Sequence, residues 1–71
     1  MSNLERIRKS KNLTRRELAL LSGVKEITLH LYENNDLDIN KAKLTTLIKL
    51  AKALKVKVID LVDKDLIKYI R

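Results

Sequence analysis

Arg15 and Arg16 lie between Thr14 and Glu17, and the four residues form the capping-box pattern S/T-x-x-E. Two guanidinium groups therefore fall in the first turn of the helix that this box opens. A cation there opposes the positive end of the helix dipole. A bound phosphate would compensate, helped by the backbone N–H groups at the same end. Lys41 and Lys43 repeat the arrangement where a later helix is expected to begin, and Lys25 stands at the expected start of the helix between them. The plainer alternative for Arg15 and Arg16 is that both are solvated surface residues.

Other chemistry finds little support. The chain has one histidine, His30, and no cysteine, so neither a metal cluster nor a disulfide is expected. There is no nucleophile–base pattern, no glycine-rich phosphate loop and no carboxylate pair in a cleft-forming context. Seventy-one residues also leave little room for a substrate-sized pocket. Neither an enzyme nor a cofactor nor a small-molecule ligand is expected. No apolar run approaches the roughly 20 residues of a membrane span, and MSNLERIRKSKN lacks the core of a signal peptide. The expected location is cytoplasmic, away from membranes.

The net charge of +7 suits a polyanion partner, and its distribution is uneven. Residues 1–25 carry seven Lys/Arg and two Glu, net +5. Residues 26–40 carry four acids and no Lys or Arg, net −4. Residues 41–71 carry nine Lys/Arg and three Asp, net +6. The acidic gap covers the helix after Gly23 and the loop that follows.

These side chains must be positioned by helices, since the chain has no proline, a single glycine and an aliphatic composition. A single domain over residues 1–71 is expected. Helix one is predicted from about Asn3 to Lys11, capped by Ser2 or Asn3. Its Leu4 and Ile7 face inward, and Arg6, Arg8, Lys9 and Lys11 form a basic outer surface; Asn12 ends it in the left-handed region. Helix two runs from Thr14 to Gly23, a C′ glycine, with Leu18, Ala19 and Leu21 along one side. Helix three runs from Lys25 or Glu26 to Asn34, with Val24, Thr28, Leu29 and Tyr32 inward and no good N-cap. Helix four runs from Asn40 or Lys41 to Leu54, with Leu44, Leu47, Ile48, Ala51 and Leu54 as its apolar face. Helix five starts near Val58 and extends toward Tyr69.

The pattern L-T-x-x-E-L-A-x-x-S-G-V, then Thr28-Leu29 and Tyr32-Glu33-Asn34, then L-x-x-L-I-K-L-A-K-A-L and V-x-x-x-D-L, resembles the phage-repressor (Cro/XRE-type) helix-turn-helix family. The resemblance covers about residues 4–62, leaving 63–71 as a C-terminal helical extension. It implies an all-α fold: a compact five-helix, lambda-repressor-like DNA-binding domain with the helix-turn-helix at helices two and three. It also implies binding to double-stranded DNA, commonly as a homodimer, by a short standalone regulator that represses by occupying an operator.

By that resemblance, helix three enters the major groove and its base-reading positions are Glu26, Ile27, Thr28, His30 and Leu31. The phosphate-contacting positions are Arg15, Arg16, Lys25, Lys41 and Lys43. Glu33 is expected in a local salt bridge or cap. The chain departs from the family at Ile27 and Leu31, where relatives carry polar base readers, and at Leu20, where they often carry a charge. Ile27 and Leu31 form an apolar i, i+4 strip, which leaves three readings. The strip touches thymine methyl groups while Glu26 accepts from cytosine N4. Or Leu20, Ile27 and Leu31 bind a protein partner, as in an antitoxin or a phage-encoded inhibitor. Or the loop folds Leu37 and Ile39 over the strip.

Overall fold

A computed structural model describes residues 2–62 of the chain. Within them lie α1 (Asn3–Ser10), α2 (Arg15–Ser22), α3 (Glu26–Glu33) and α4 (Leu44–Leu54), with 3₁₀ turns at Ile39–Lys41 and Val58–Asp60. The described residues contain no β-strand. They hold four α-helices rather than five, because the chain at Val58 makes a 3₁₀ turn where helix five was expected to start. The proposed continuation to Tyr69 and the extension 63–71 lie outside the described residues.

Each helix boundary has a local cause. The Ser2 side chain accepts the Glu5 N–H at 3.1 Å and opens α1. Asn12 adopts φ 58° after it, as an asparagine readily does. Gly23 closes α2 at φ 75°, a backbone state that is costly for any residue with a Cβ. No atom lies within 4 Å of the position a Cβ would take there. Gly23→Ala should therefore lower stability by about 1 kcal/mol through the backbone alone. A urea midpoint equal to that of the wild type would contradict this.

α4 begins at Leu44, later than the expected Asn40 or Lys41. The Asp38 carboxylate accepts the Asn40 N–H at 2.9 Å and starts a separate 3₁₀ turn. Ala42 then leaves that turn in an extended conformation before α4 can begin. At its other end α4 stops at Lys55, which adopts the left-handed conformation without being glycine.

The core lies where α2 packs against α3 and α4, with α1 against α3 and the Val58–Asp60 turn against α4. Leu4, Leu18, Leu29, Leu50, Leu54 and Leu61 are fully buried, each worth about 1.5–3 kcal/mol of apolar transfer. The Asn3 side chain donates to the Val62 carbonyl at 3.0 Å and joins the two ends of the described chain.

Three of the expected faces are corrected. Leu21 is exposed, because the buried side of α2 centres on Leu18. Leu44 and Ile48 are exposed, and α4 instead buries Leu47, Leu50, Ala51 and Leu54. Arg8 is not on the basic outer surface. It is 8% exposed and makes a bidentate pair with Glu33, itself 5% exposed. Arg8 Nε donates to Glu33 Oε2 at 2.7 Å and Nη2 donates to Oε1 at 3.0 Å. Arg8 Nη1 donates to the Leu13 carbonyl at 2.7 Å. Glu33 thus has its salt bridge, but with a residue 25 positions away rather than a local one. Its hydrogen bonds raise the already high pKa of the Arg8 guanidinium further.

Candidate nucleic-acid interface

The Arg8 hydrogen bond to Leu13 fixes the strand of chain that leads into Thr14 and the start of α2. The capping box there is complete. Thr14 Oγ1 accepts the Glu17 N–H at 3.0 Å, and Glu17 Oε1 accepts the Thr14 N–H at 2.9 Å. These bonds hold the Glu17 carboxylate below its ordinary value of 4.5, the Thr14 backbone N–H contributing most. A carboxylate held low when folded binds fewer protons than when unfolded. Its stabilisation is therefore present above the ordinary value and is lost as pH falls through the lowered one. Glu5, held low by its hydrogen bond with Lys9, acts with the same sign. The thermal midpoint should fall on acidification from about pH 5 to about pH 3, and fall less in Glu17→Gln. An equal fall in both proteins would contradict the assignment.

α3 and α4 open differently. Their N-cap residues, Lys25 and Lys43, are extended and make no side-chain cap hydrogen bond. The leading N–H groups of both helices thus lack the acceptor that Ser2 and Thr14 supply to α1 and α2, a state suited to an incoming anion. Lys43, rather than Lys41, holds the α4 N-cap; Lys41 closes the 3₁₀ turn two residues earlier. Lys25, Lys41 and Lys43 are all exposed.

An open groove at the start of α2 is lined by Lys9, Asn12, Thr14, Arg15, Arg16 and Glu26, among others. A second groove is lined by Arg15, Glu26, Ile27 and His30. Arg15 and Glu26 belong to both, so a single surface joins two of the expected phosphate contacts to three of the expected base readers. Thr28 and Leu31 line neither groove and are half-buried. The surface has one internal contact that residue spacing did not suggest. Arg15 Nη1 meets His30 Nδ1 across α2 and α3, and the Asn34 side-chain amide stands 3.0 Å from His30 Nε2. The sequence marks Asn34 only as a helix end. Its i+4 spacing from His30 was the available signal.

The acidic gap is weaker on this surface than its residue count implies. Glu33 is buried and paired with Arg8. Asp36 and Asp38 lie in the loop beyond α3. Glu26 is the acidic residue left on the exposed part of α3, and it shares its grooves with Arg15 and Arg16.

The apolar strip is uneven. Leu20 is 78% exposed and Ile27 61% exposed, whereas Leu31 is half-buried. The Leu31 carbonyl accepts both the Asp36 N–H at 2.9 Å and the Leu37 N–H at 3.1 Å, which folds the loop back over the end of α3. Ile39 packs against the core, while Leu37 remains 40% exposed. The reading in which the loop buries the strip is therefore corrected: Ile27 is open, and only its Leu31 end is partly covered.

Two packed helices joined at a left-handed glycine, the first capped and the second open at its start, with cations gathered beside them, define a small helix-turn-helix domain. The chain matches the helix-turn-helix family over residues 4–61 and belongs to it, in its Cro/XRE-type branch of DNA-binding transcription regulators. No individual curated protein and no solved structure matches the chain. None of the helices among the described residues is long and apolar enough to cross a membrane.

Proposed function

We propose that this domain is a sequence-specific DNA-binding repressor that acts as a homodimer by occupying an operator. The observation that carries this reading is the shared surface of Arg15, Arg16, Glu26, Ile27 and His30. It places cations at the start of α2 next to the exposed first turn of α3. In the proposed complex α3 lies in the major groove. Ile27 meets a thymine methyl group and Glu26 accepts from cytosine N4. Arg15, Arg16, Lys25, Lys41 and Lys43 hold phosphates on either side. Two protomers read half-sites about 34–36 Å apart, one helical turn of DNA.

The exposure of Leu20 and Ile27 favours a second reading, a protein-interaction module built on the same fold. A fluorescence titration at two salt concentrations, with random and selected duplexes, separates the two. The repressor binds random duplexes at low salt and selected ones more tightly. A folded protein that binds no duplex at low salt supports the interaction module and overturns the repressor.

A further inference from the structure

His30 stands in the α3 face expected to read bases, yet both of its ring nitrogens are engaged within the protein. Nδ1 meets Arg15 Nη1 on α2, and Nε2 is 3.0 Å from the Asn34 amide one turn further along α3. A guanidinium has only donors, so Nδ1 must accept and the ring carries its proton on Nε2. The Asn34 atom facing Nε2 is Nδ2, a donor, so the amide has to exchange its nitrogen and oxygen to accept from Nε2–H, an exchange that fills the same space. The result is a chain of contacts, Asn34 to His30 to Arg15, that spans the helix-turn-helix. Arg15 is half-buried beside Glu26 and Ile27. The bond through Nη1 leaves its Nε–Nη2 edge available, the edge that binds a phosphate bidentately.

We infer that His30 is a positioning residue: it does not read a base but orients the Arg15 guanidinium toward a DNA phosphate. The inference rests on the DNA-binding reading above and assigns His30 a different part in it. A residue that acts through Arg15 affects all sequences alike, whereas a base reader affects preference at one base pair.

The test is a double-mutant cycle on DNA binding, with the tautomer of His30 read separately. Arg15→Ala should weaken binding to every duplex by about 10- to 100-fold, the loss of a charge-assisted hydrogen bond. His30→Ala should weaken it about three- to tenfold, again for every duplex. In the Arg15→Ala background, His30→Ala should change little. His30→Asn should restore binding, because its Oδ1 stands where Nδ1 does and accepts from Arg15. Additive losses, or an altered base preference in His30→Ala, would overturn the inference. In the free protein at about pH 8, long-range proton–nitrogen spectra should show the Nε2–H tautomer and a change in Arg15→Ala. If the wild type binds no duplex, the DNA reading fails, and the Arg15 dependence of the His30 ring signals decides the contact by itself: a change in Arg15→Ala upholds it, and an Nδ1–H tautomer or no change overturns it.

Discussion

Arg8→Ala is expected to lower the free energy of unfolding by about 3–5 kcal/mol. The substitution leaves the Glu33 carboxylate buried without either of its two guanidinium bonds. It also frees the Leu13 carbonyl. A domain of this size has a total stability of roughly 4–11 kcal/mol, so the loss is a large part of the whole. Glu33→Ala should cost a similar amount by stranding the buried guanidinium. The double substitution Arg8→Met with Glu33→Leu should recover most of it, since a buried ion pair adds little over an apolar pair of like volume. Urea denaturation followed by circular dichroism measures all three. Single variants within about 1 kcal/mol of the wild type would show that the pair is solvated rather than buried. The same bonds hold the approach to Thr14, so the single variants should also weaken DNA binding at temperatures where they remain folded.

That pair also marks the limit of what residue order reveals. Thr14, Glu17 and Gly23 act over one or two turns of chain, so the start and end of α2 were legible. The family pattern was legible for the same reason. A charged side chain on α1 is expected to face outward, and the partner that buries Arg8 lies 25 residues along the chain. In α4 the leucines allow two apolar stripes that share Leu47, Ala51 and Leu54. Packing against α2 and the Val58–Asp60 turn decides for Leu50 over Leu44 and Ile48. At the candidate interface, the grouping of Arg15 with Glu26 and Ile27 followed from the family pattern. The engagement of both His30 nitrogens did not, because it depends on how α2 and α3 cross.

The second large effect concerns salt. With one phosphate neutralised by each of the five proposed cations, Arg15, Arg16, Lys25, Lys41 and Lys43, the log–log slope of affinity against salt should be about −4.5 per protomer. A rise from about 50 to about 200 mM salt should then weaken one protomer's binding roughly 500-fold. A homodimer on two half-sites doubles the slope to about −9. The contributing cations are separable. Lys43→Ala removes a charge at the uncapped start of α4 and should reduce the slope by about 0.9 per protomer. Lys49→Ala removes an exposed charge from the middle of that helix and should leave the slope unchanged. A wild-type slope near −1, or equal changes in both variants, would mean that the helix ends do not hold phosphates.

The exposed first turn of α3 is proposed to meet DNA bases. The most direct measurement is the base preference selected from a random duplex pool by the wild type, by Ile27→Ala and by Arg15→Ala. Ile27 is open to solvent beside Arg15, so Ile27→Ala should lose the preference for thymine at one position of each half-site and keep the wild-type salt slope. Arg15→Ala should keep the preference and bind every sequence more weakly. Selection of the wild-type sequences by Ile27→Ala, with different ones selected by Arg15→Ala, would contradict base reading by this turn.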